Sequence, residues 1–417
     1  MTTNSLHGLL DRHEKGWSLE QSFYVDPEIF AVEQAIWFSR QWTVIAHASE
    51  LPRKGSHIVR SLFGTSIIVV NSGDAGFRAY YNVCTHRGSR ICKEDGHSPL
   101  LVCPYHAWSF RLTGELQSTR DLPAGVDPAE LGLHEVPLRQ IGSLILCGAD
   151  AENLPDPARA EEVLQPALRH HGLDHAKIAV RRSYPTQANW KLVLENFFEC
   201  YHCRPSHPEY FRMNGHVKVS AMLDDNAAQE WGKVVDDWRA EVGDDQHNRT
   251  VRVAGTHDEM KFTLYRHPIG LGRQTQSKDG RAVAPLMGGF ANYDGGETAM
   301  HFGRFSFMGA YNDHAVLFQF IPRGVEETDV VATWFVDADA DLELIDMDAM
   351  TLMWDITTKQ DKQIIEENAQ GVRSRAYRPG PYTQLEAQTS DFVESYVTVM
   401  RELLEAKGPV AKVEQVA

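Results

Sequence analysis

Cysteine is scarce in this chain, with six residues in 417. That is too few for a disulfide scaffold. Long apolar runs are missing as well: SIIVV and SLILCGA are strand-sized, far below the roughly 20 residues that cross a bilayer, so no membrane segment is expected. The N-terminal MTTNSLHGLLDRHEKG has no apolar stretch of the kind a secretion signal requires. A reducing, cytoplasmic setting is the expectation. Basic residues are in deficit, 41 Lys and Arg against 57 Asp and Glu, for a formal charge of −16. A phosphate backbone would find little to hold, so no nucleic-acid partner is expected. The acidic stretches at 236–245 and 337–348 read as solvated surface. Internal repeats and low-complexity tracts are absent.

What is present changes character along the chain. From about 55 to 148, short β-rich runs (HIVRSLF, TSIIVVN, FRAYYNV, LLVCPY, SFRLTG, SLILCG) are separated by turns such as NSGDAG and LTGE, the pattern of a small antiparallel domain. The polar, proline-bearing ENLPDPAR then marks a link. Beyond it, strands are expected at KIAVRRSYP, AMHFGRFSFMG, HAVLFQFIPR and DVVATWFV, and helices at about 191–203, 342–373 and 386–405. The expected division is an N-terminal arm at 1–45 associated with the last domain, a β-rich domain at 46–152 and a larger domain at 153–417. The class is α+β.

Two loops of the small domain carry chemistry. CTHRGS begins at Cys84 and CPYHAW at Cys103, so Cys84 and His86 form one pair and Cys103 and His106 the other. Each loop offers one soft sulfur and one imidazole, a donor set that suits a metal. Zinc is one occupant to weigh, although zinc fingers usually take their cysteines from one knuckle and their histidines from another. One of each per loop is the pattern of a Rieske [2Fe–2S] centre. The chain resembles a Rieske protein here, which implies Cys84 and Cys103 on one iron and His86 and His106 on the other. The respiratory members of that family carry an extra cysteine in each loop, where Ser89 and Tyr105 stand here, so the resemblance is to the oxygenase type. Cys92 reads as a structural thiol.

The second informative stretch is NWKLVLENFFECYHCRPSHPEY, 189–210. Glu199 and His202 are three apart and would share a helix face, while Pro205 and Pro208 would turn the chain so that His207 returns toward His202. Two histidines with one carboxylate are the facial triad of non-haem Fe(II) oxygenases. With this stretch the chain resembles the catalytic α subunit of a Rieske non-haem iron oxygenase. The resemblance implies a helix-grip catalytic domain, an antiparallel sheet with helices on one face, and a third ligand on a late helix. Asp361 in WDITTKQDKQIIEENAQGVRSRAYRPGPY matches that position, with Asp355 as the nearest rival.

Most ring-hydroxylating members have aspartate where Glu199 stands. Glutamate there resembles the quaternary-ammonium branch, in which a carboxylate bridges a Rieske histidine to an iron-ligand histidine across a subunit boundary. The resemblance implies a homotrimer and electron passage from His106 through Glu199 to His202. O2 is the implied co-substrate, and NAD(P)H electrons are expected through a separate flavin/iron–sulfur reductase, since nothing in the chain resembles a flavin or nicotinamide site. The implied reaction is oxidative N-demethylation of a betaine, glycine betaine ahead of proline betaine or carnitine, with aromatic-ring hydroxylation the competing reading. Phe262, Tyr265, His301, Phe302, Phe305, Phe307, Phe318 and Phe320 are aromatic supply for a cation pocket, or simply core.

Overall fold

The computed structural model describes residues 3–215, 225–243, 251–253, 259–270 and 272–407. The acidic stretch at 236–245 runs along the helix Asp225–Val242, and its last two residues lie outside the described set.

The small domain is built from the expected runs. Ser56–Leu62, Thr65–Asn71 and Phe77–Tyr81 form an antiparallel sheet with Gly96–His97 on its edge. The Leu62↔Thr65 pair is closed by Phe63 and Gly64, both at positive φ, which twists the hairpin in the sense its strands require. Glycine adopts that conformation freely and phenylalanine does not. Burial offsets the strain: the Phe63 ring stacks on Phe38 at 4.8 Å and meets Phe305 edge-on at 5.1 Å. Phe63 therefore pins the small domain to the arm and to the large domain. A second sheet, Leu101–Val102, Ser109–Phe110 and Leu116–Ser118, carries the other Cys/His loop between its first two strands. The strand Thr43–His47 pairs with Leu144–Cys147 and straddles the expected 45/46 boundary.

The large domain is a seven-stranded antiparallel sheet in the order Ala176–Thr186, Glu327–Asp337, Ala315–Gly324, Ser306–Ala310, Gly296–Phe302, Phe262–Pro268 and Val251–Val253. Its register lines up Thr263, His301, Phe307, Phe318 and Ala332 across one face. The helices Trp190–Phe197, Met347–Val372 and Ala387–Lys407 belong to that side. The other face, with Phe262, Met300, Phe302, Met308 and Leu317, is covered by the helix Ala158–His170 and by the strands around Ile141 and Leu144. Helix therefore lies on both faces of the sheet, not on one alone as expected.

Two helix boundaries differ from the expectation. The helix expected over 191–203 is only Trp190–Phe197, because the carboxylate of Glu199 takes the backbone N–H groups of Tyr201 and His202 and draws the chain into a turn. The helix expected from 342 is a short 3₁₀ turn, Leu342–Leu344, then extended backbone at Ile345 and a fresh start capped by Asp346.

Candidate active site

The two Cys/His loops are copies of one turn. In the first, Gly88 N–H reaches the Cys84 carbonyl at 2.9 Å and Cys84 N–H reaches Ser89 O at 2.8 Å. In the second, Ala107 N–H reaches Cys103 O at 3.0 Å and Cys103 N–H reaches Trp108 O at 2.8 Å. Gly88 and Ala107, the matching residues, both have positive φ. Each turn aims backbone donors at its sulfur: His86 and Arg87 N–H at Cys84, Tyr105 and His106 N–H at Cys103. Such donors favour thiolate, the form that binds metal. Both cysteines are buried, at 2 % exposure. The His86 and His106 rings stand 4.7 Å apart, Trp108 stacks on His86 at 4.6 Å, and Nδ1 of His106 is buried without a hydrogen bond. Two thiols and two imidazoles converging with an orphaned ring nitrogen fit a Rieske cluster. Burial pushes the Cys92 thiol up to about 11, and that side chain stays apart.

The second centre forms where the turn after Phe197 meets the helix Met347–Val372. His207 Nε2 lies 2.9 Å and His202 Nε2 lies 3.3 Å from Asp361 Oδ1. The Nδ1 atoms of both rings are engaged elsewhere. Gln360 donates through Nε2 to Glu209 at 2.8 Å, which leaves its Oε1 to accept from His207 Nδ1 at 2.9 Å. Glu199 Oε1 accepts from His202 Nδ1. With each Nδ1 so engaged, Nε2 is the ring atom that faces the carboxylate oxygen, and His207 Nε2 and Asp361 Oδ1 are buried with no hydrogen bond despite their closeness. Two ring nitrogens and a carboxylate oxygen converging on one point fit a cation such as Fe(II), which would displace any proton held on Nε2. Burial resists charge on His202, yet the Asp361 and Glu199 carboxylates raise its pKa to about 9. Burial likewise works against ionised Asp361, and the two histidines hold it below the usual carboxylate range.

The rival Asp355 lies elsewhere. Its carboxylate accepts from Tyr184 at 2.7 Å and pairs with Arg182 at 2.9 Å, binding helix to sheet, and also takes Lys359 of its own helix at 2.7 Å. Glu199 sits where expected, against His202, but in a turn instead of on a helix face.

Of the aromatic candidates, the register puts Tyr265, His301, Phe307, Phe318 and Phe320 on the site face, while Phe262 and Phe302 are core on the other face. Phe305 packs against Phe38 and Phe63. Four residues not singled out in the sequence complete this wall. Trp354, two turns before Asp361, lies 5.2 Å from Phe318, and its Nε1 donates to the Tyr311 hydroxyl at 3.0 Å. That hydroxyl donates to buried Glu297 at 3.3 Å. Tyr210 stands 6.3 Å from Trp354 and feels the charges of both Glu297 and Asp361. Only the helical spacing of Trp354 from Asp361 hinted at this group.

Residues 41–136 match the Rieske [2Fe-2S] domain, and 173–402 match the ring-hydroxylating alpha subunit catalytic domain. The chain belongs to the ring-hydroxylating alpha subunit family, the Rieske non-haem iron oxygenases. It is 34 % identical to the glycine betaine monooxygenase oxygenase subunit of Chromohalobacter salexigens, over 98 % of this chain and 91 % of that one. Among solved structures, a quaternary ammonium Rieske monooxygenase described in terms of carnitine oxidation and inter-subunit electron transfer shares the fold (TM-score 0.69, 20 % identity, 94 % of this chain and 98 % of that one). So does naphthalene 1,2-dioxygenase from Rhodococcus sp. (TM-score 0.66, 17 % identity, 97 % and 98 %). Because a betaine-type and an aromatic-type enzyme fit nearly equally well, the fold alone does not select the substrate.

Proposed function

We propose that this chain is the terminal oxygenase of an oxidative N-demethylation, converting glycine betaine to dimethylglycine and formaldehyde. The observation that carries the reading is the full-length likeness to a glycine betaine monooxygenase oxygenase subunit. The site wall agrees with it: aromatic faces at Tyr265, Phe307, Phe318 and Trp354, with the Glu297 carboxylate at their edge, suit a quaternary ammonium cation better than a neutral arene.

In this reading Cys84, Cys103, His86 and His106 hold the [2Fe–2S] cluster, and His202, His207 and Asp361 hold the iron. When bound, the two centres supply single electrons and reductive activation of O2 against an N-methyl C–H bond. Glu199 keeps the His202 proton on Nδ1 and so keeps Nε2 available as a donor; Gln360 does the same for His207. The hydroxylated methyl is a hydroxymethylammonium: its O–H gives up a proton, the C–N bond breaks with its electron pair going to nitrogen, and formaldehyde leaves with the tertiary amine. Electrons come from NAD(P)H through a separate flavin/iron–sulfur reductase. The chain works in the cytoplasm as a homotrimer, divided into an arm at 1–45, a Rieske domain at 46–152 and a catalytic domain at 153–417.

The test is formaldehyde release by the purified chain with a surrogate NADH-dependent reductase and O2. Glycine betaine should turn over fastest in a panel with proline betaine, carnitine and naphthalene. A ring or methylene difference is worth about 1 to 3 kcal/mol in a pocket, so preference for another betaine would move the substrate within the class. Oxidation of naphthalene with no betaine turned over would refute the class.

A further inference from the structure

The turn that presents Glu199 and His202 is closed by a disulfide between Cys200 and Cys203, with Cα atoms 4.9 Å apart. The other cysteines, Cys84, Cys92, Cys103 and Cys147, are free. Cys203 is buried, at 7 % exposure, and its sulfur lies within 4.8 Å of a ring nitrogen of both His202 and His207. Cys200 is half-buried, and Tyr201 between them is 48 % exposed. Cys203 thus lies against the imidazoles of the acceptor cluster, while Cys200 belongs to the more exposed side of the turn. A three-residue spacing within one turn, with one partner buried and the other half-buried, is the geometry of a pair that can open and close by exchange.

We propose that Cys200 and Cys203 are a redox-active pair that consumes hydrogen peroxide beside the iron site, sparing the ligand imidazoles. The source of peroxide rests on the oxygenase reading above: O2 reduced without a substrate methyl to attack leaves as peroxide. The Cys203 sulfur attacks one peroxide oxygen, the O–O bond breaks, and one water leaves with Cys203 as sulfenic acid. The Cys200 sulfur then attacks the Cys203 sulfur, the S–O bond breaks, and a second water leaves as the disulfide forms. Two thiols have given two electrons and two protons, and one peroxide has become two waters. An external dithiol reopens the pair by exchange.

Closed, the pair holds the four-residue turn in which Glu199 accepts from Tyr201 N–H and His202 N–H. The first oxidation steps of a thiol are reversible, so in this proposal the pair takes up peroxide in place of the imidazoles and is restored by reduction.

The experiment reads one tryptic peptide, 192–212, which holds both cysteines, His202 and His207. The full chain, reduced with dithiothreitol and freed of it, receives one equivalent of hydrogen peroxide. Peptide mass should fall by two hydrogens, Cys92 should stay reduced, and dithiothreitol should reverse the change. With iron loaded and peroxide in excess, Cys200→Ser and the Cys200→Ser/Cys203→Ser variant should gain oxygen on His202 and His207 several-fold faster than wild type. The same comparison in unmutated protein, with the thiols blocked by a maleimide, covers the case of a variant that folds poorly. Thiols that remain reduced under peroxide, or histidine oxidation equal in all arms, would overturn the proposal. Because peroxide is added directly, neither outcome depends on which substrate the enzyme oxidises.

Discussion

Two glutamates near the end of one short helix meet opposite environments. Glu199 lies at the rim of the iron site and spends its oxygens on His202 and on backbone N–H groups. Glu195, one turn earlier, is half-buried under the Tyr24 and Tyr382 hydroxyls. Burial pushes its carboxyl up to about 7 from the ordinary 4.5, although the Tyr24 and Tyr382 hydroxyls and Lys191 pull the other way. The folded state therefore favours protonated Glu195. Its stabilising effect is complete below about pH 4.5 and is lost as pH rises through 7. The difference between 7 and 4.5, at about 1.4 kcal/mol per unit, makes the loss about 3 kcal/mol. Glu195→Gln, neutral at every pH, should flatten the stability curve between pH 5 and 8 and be the more stable protein at pH 8. Urea midpoints measured across that range decide the matter; parallel curves for the two proteins would mean that Lys191 neutralises Glu195 throughout.

At the scale of elements, the helix Met347–Val372 does two jobs with two aspartates. Asp355 ties the helix to the sheet strand Ala176–Thr186 through Arg182 and Tyr184, and Asp361, less than two turns on, completes the acceptor cluster. Asp355→Ala should cost about 2 kcal/mol of stability, the loss of a charged hydrogen-bond network, and leave metal content near normal. Asp361→Ala should do the reverse: iron at the mononuclear site lost, the cluster's visible spectrum kept, and melting little changed. Metal analysis alongside calorimetry separates them, and iron loss in Asp355→Ala alone would exchange their roles. Such elements were legible in the sequence to different depths. The Cys/His turns could be read because their chemistry is local, with all the donors of each within six residues. The inner strands could be read because runs such as HAVLFQFIPR are buried along almost their full length. The end of the helix at Phe197 could not, since a Glu-to-His spacing of three fits a helical turn as well as the side-chain-capped turn that forms. The Cys200–Cys203 link ran against the expectation of reduced thiols. Glu297, Tyr311 and Trp354 come together only through sheet register and helix docking, which leave no local pattern.

Over the whole molecule, the two metal sites belong to separate domains, and among the described residues no hydrogen bond or ion pair joins His86 or His106 to Glu199, His202, His207 or Asp361. In the function proposed above, electrons pass between these two centres, and a contact between copies of the chain is the proposed route. Four of the six exposed large apolar side chains among the described residues lie near the two sites: Val83, Val102 and Tyr105, at 40, 47 and 57 % exposure, flank the Cys/His turns in sequence, and Tyr201, at 48 %, follows Glu199 by two residues; Val126 and Leu344 are the other two. Apolar surface clustered at both ends of a required electron route is what an interface between copies would cover. In a closed ring of three, each cluster edge would meet the Tyr201 edge of the next copy, and Glu199 could accept from a Rieske histidine while holding His202. Light scattering should give three times the chain mass. Tyr105→Glu and Tyr201→Glu should each weaken the assembly and lower turnover together, with the cluster spectrum intact in every chain. Glu199→Gln should keep the trimer and both metals yet slow reoxidation of the reduced cluster by roughly 10- to 100-fold, because an amide cannot accept from two imidazoles through both of its heavy atoms. A monomer with full turnover would end the ring proposal, and a Glu199→Gln trimer with unchanged cluster reoxidation would leave the ring standing but route the electrons around Glu199.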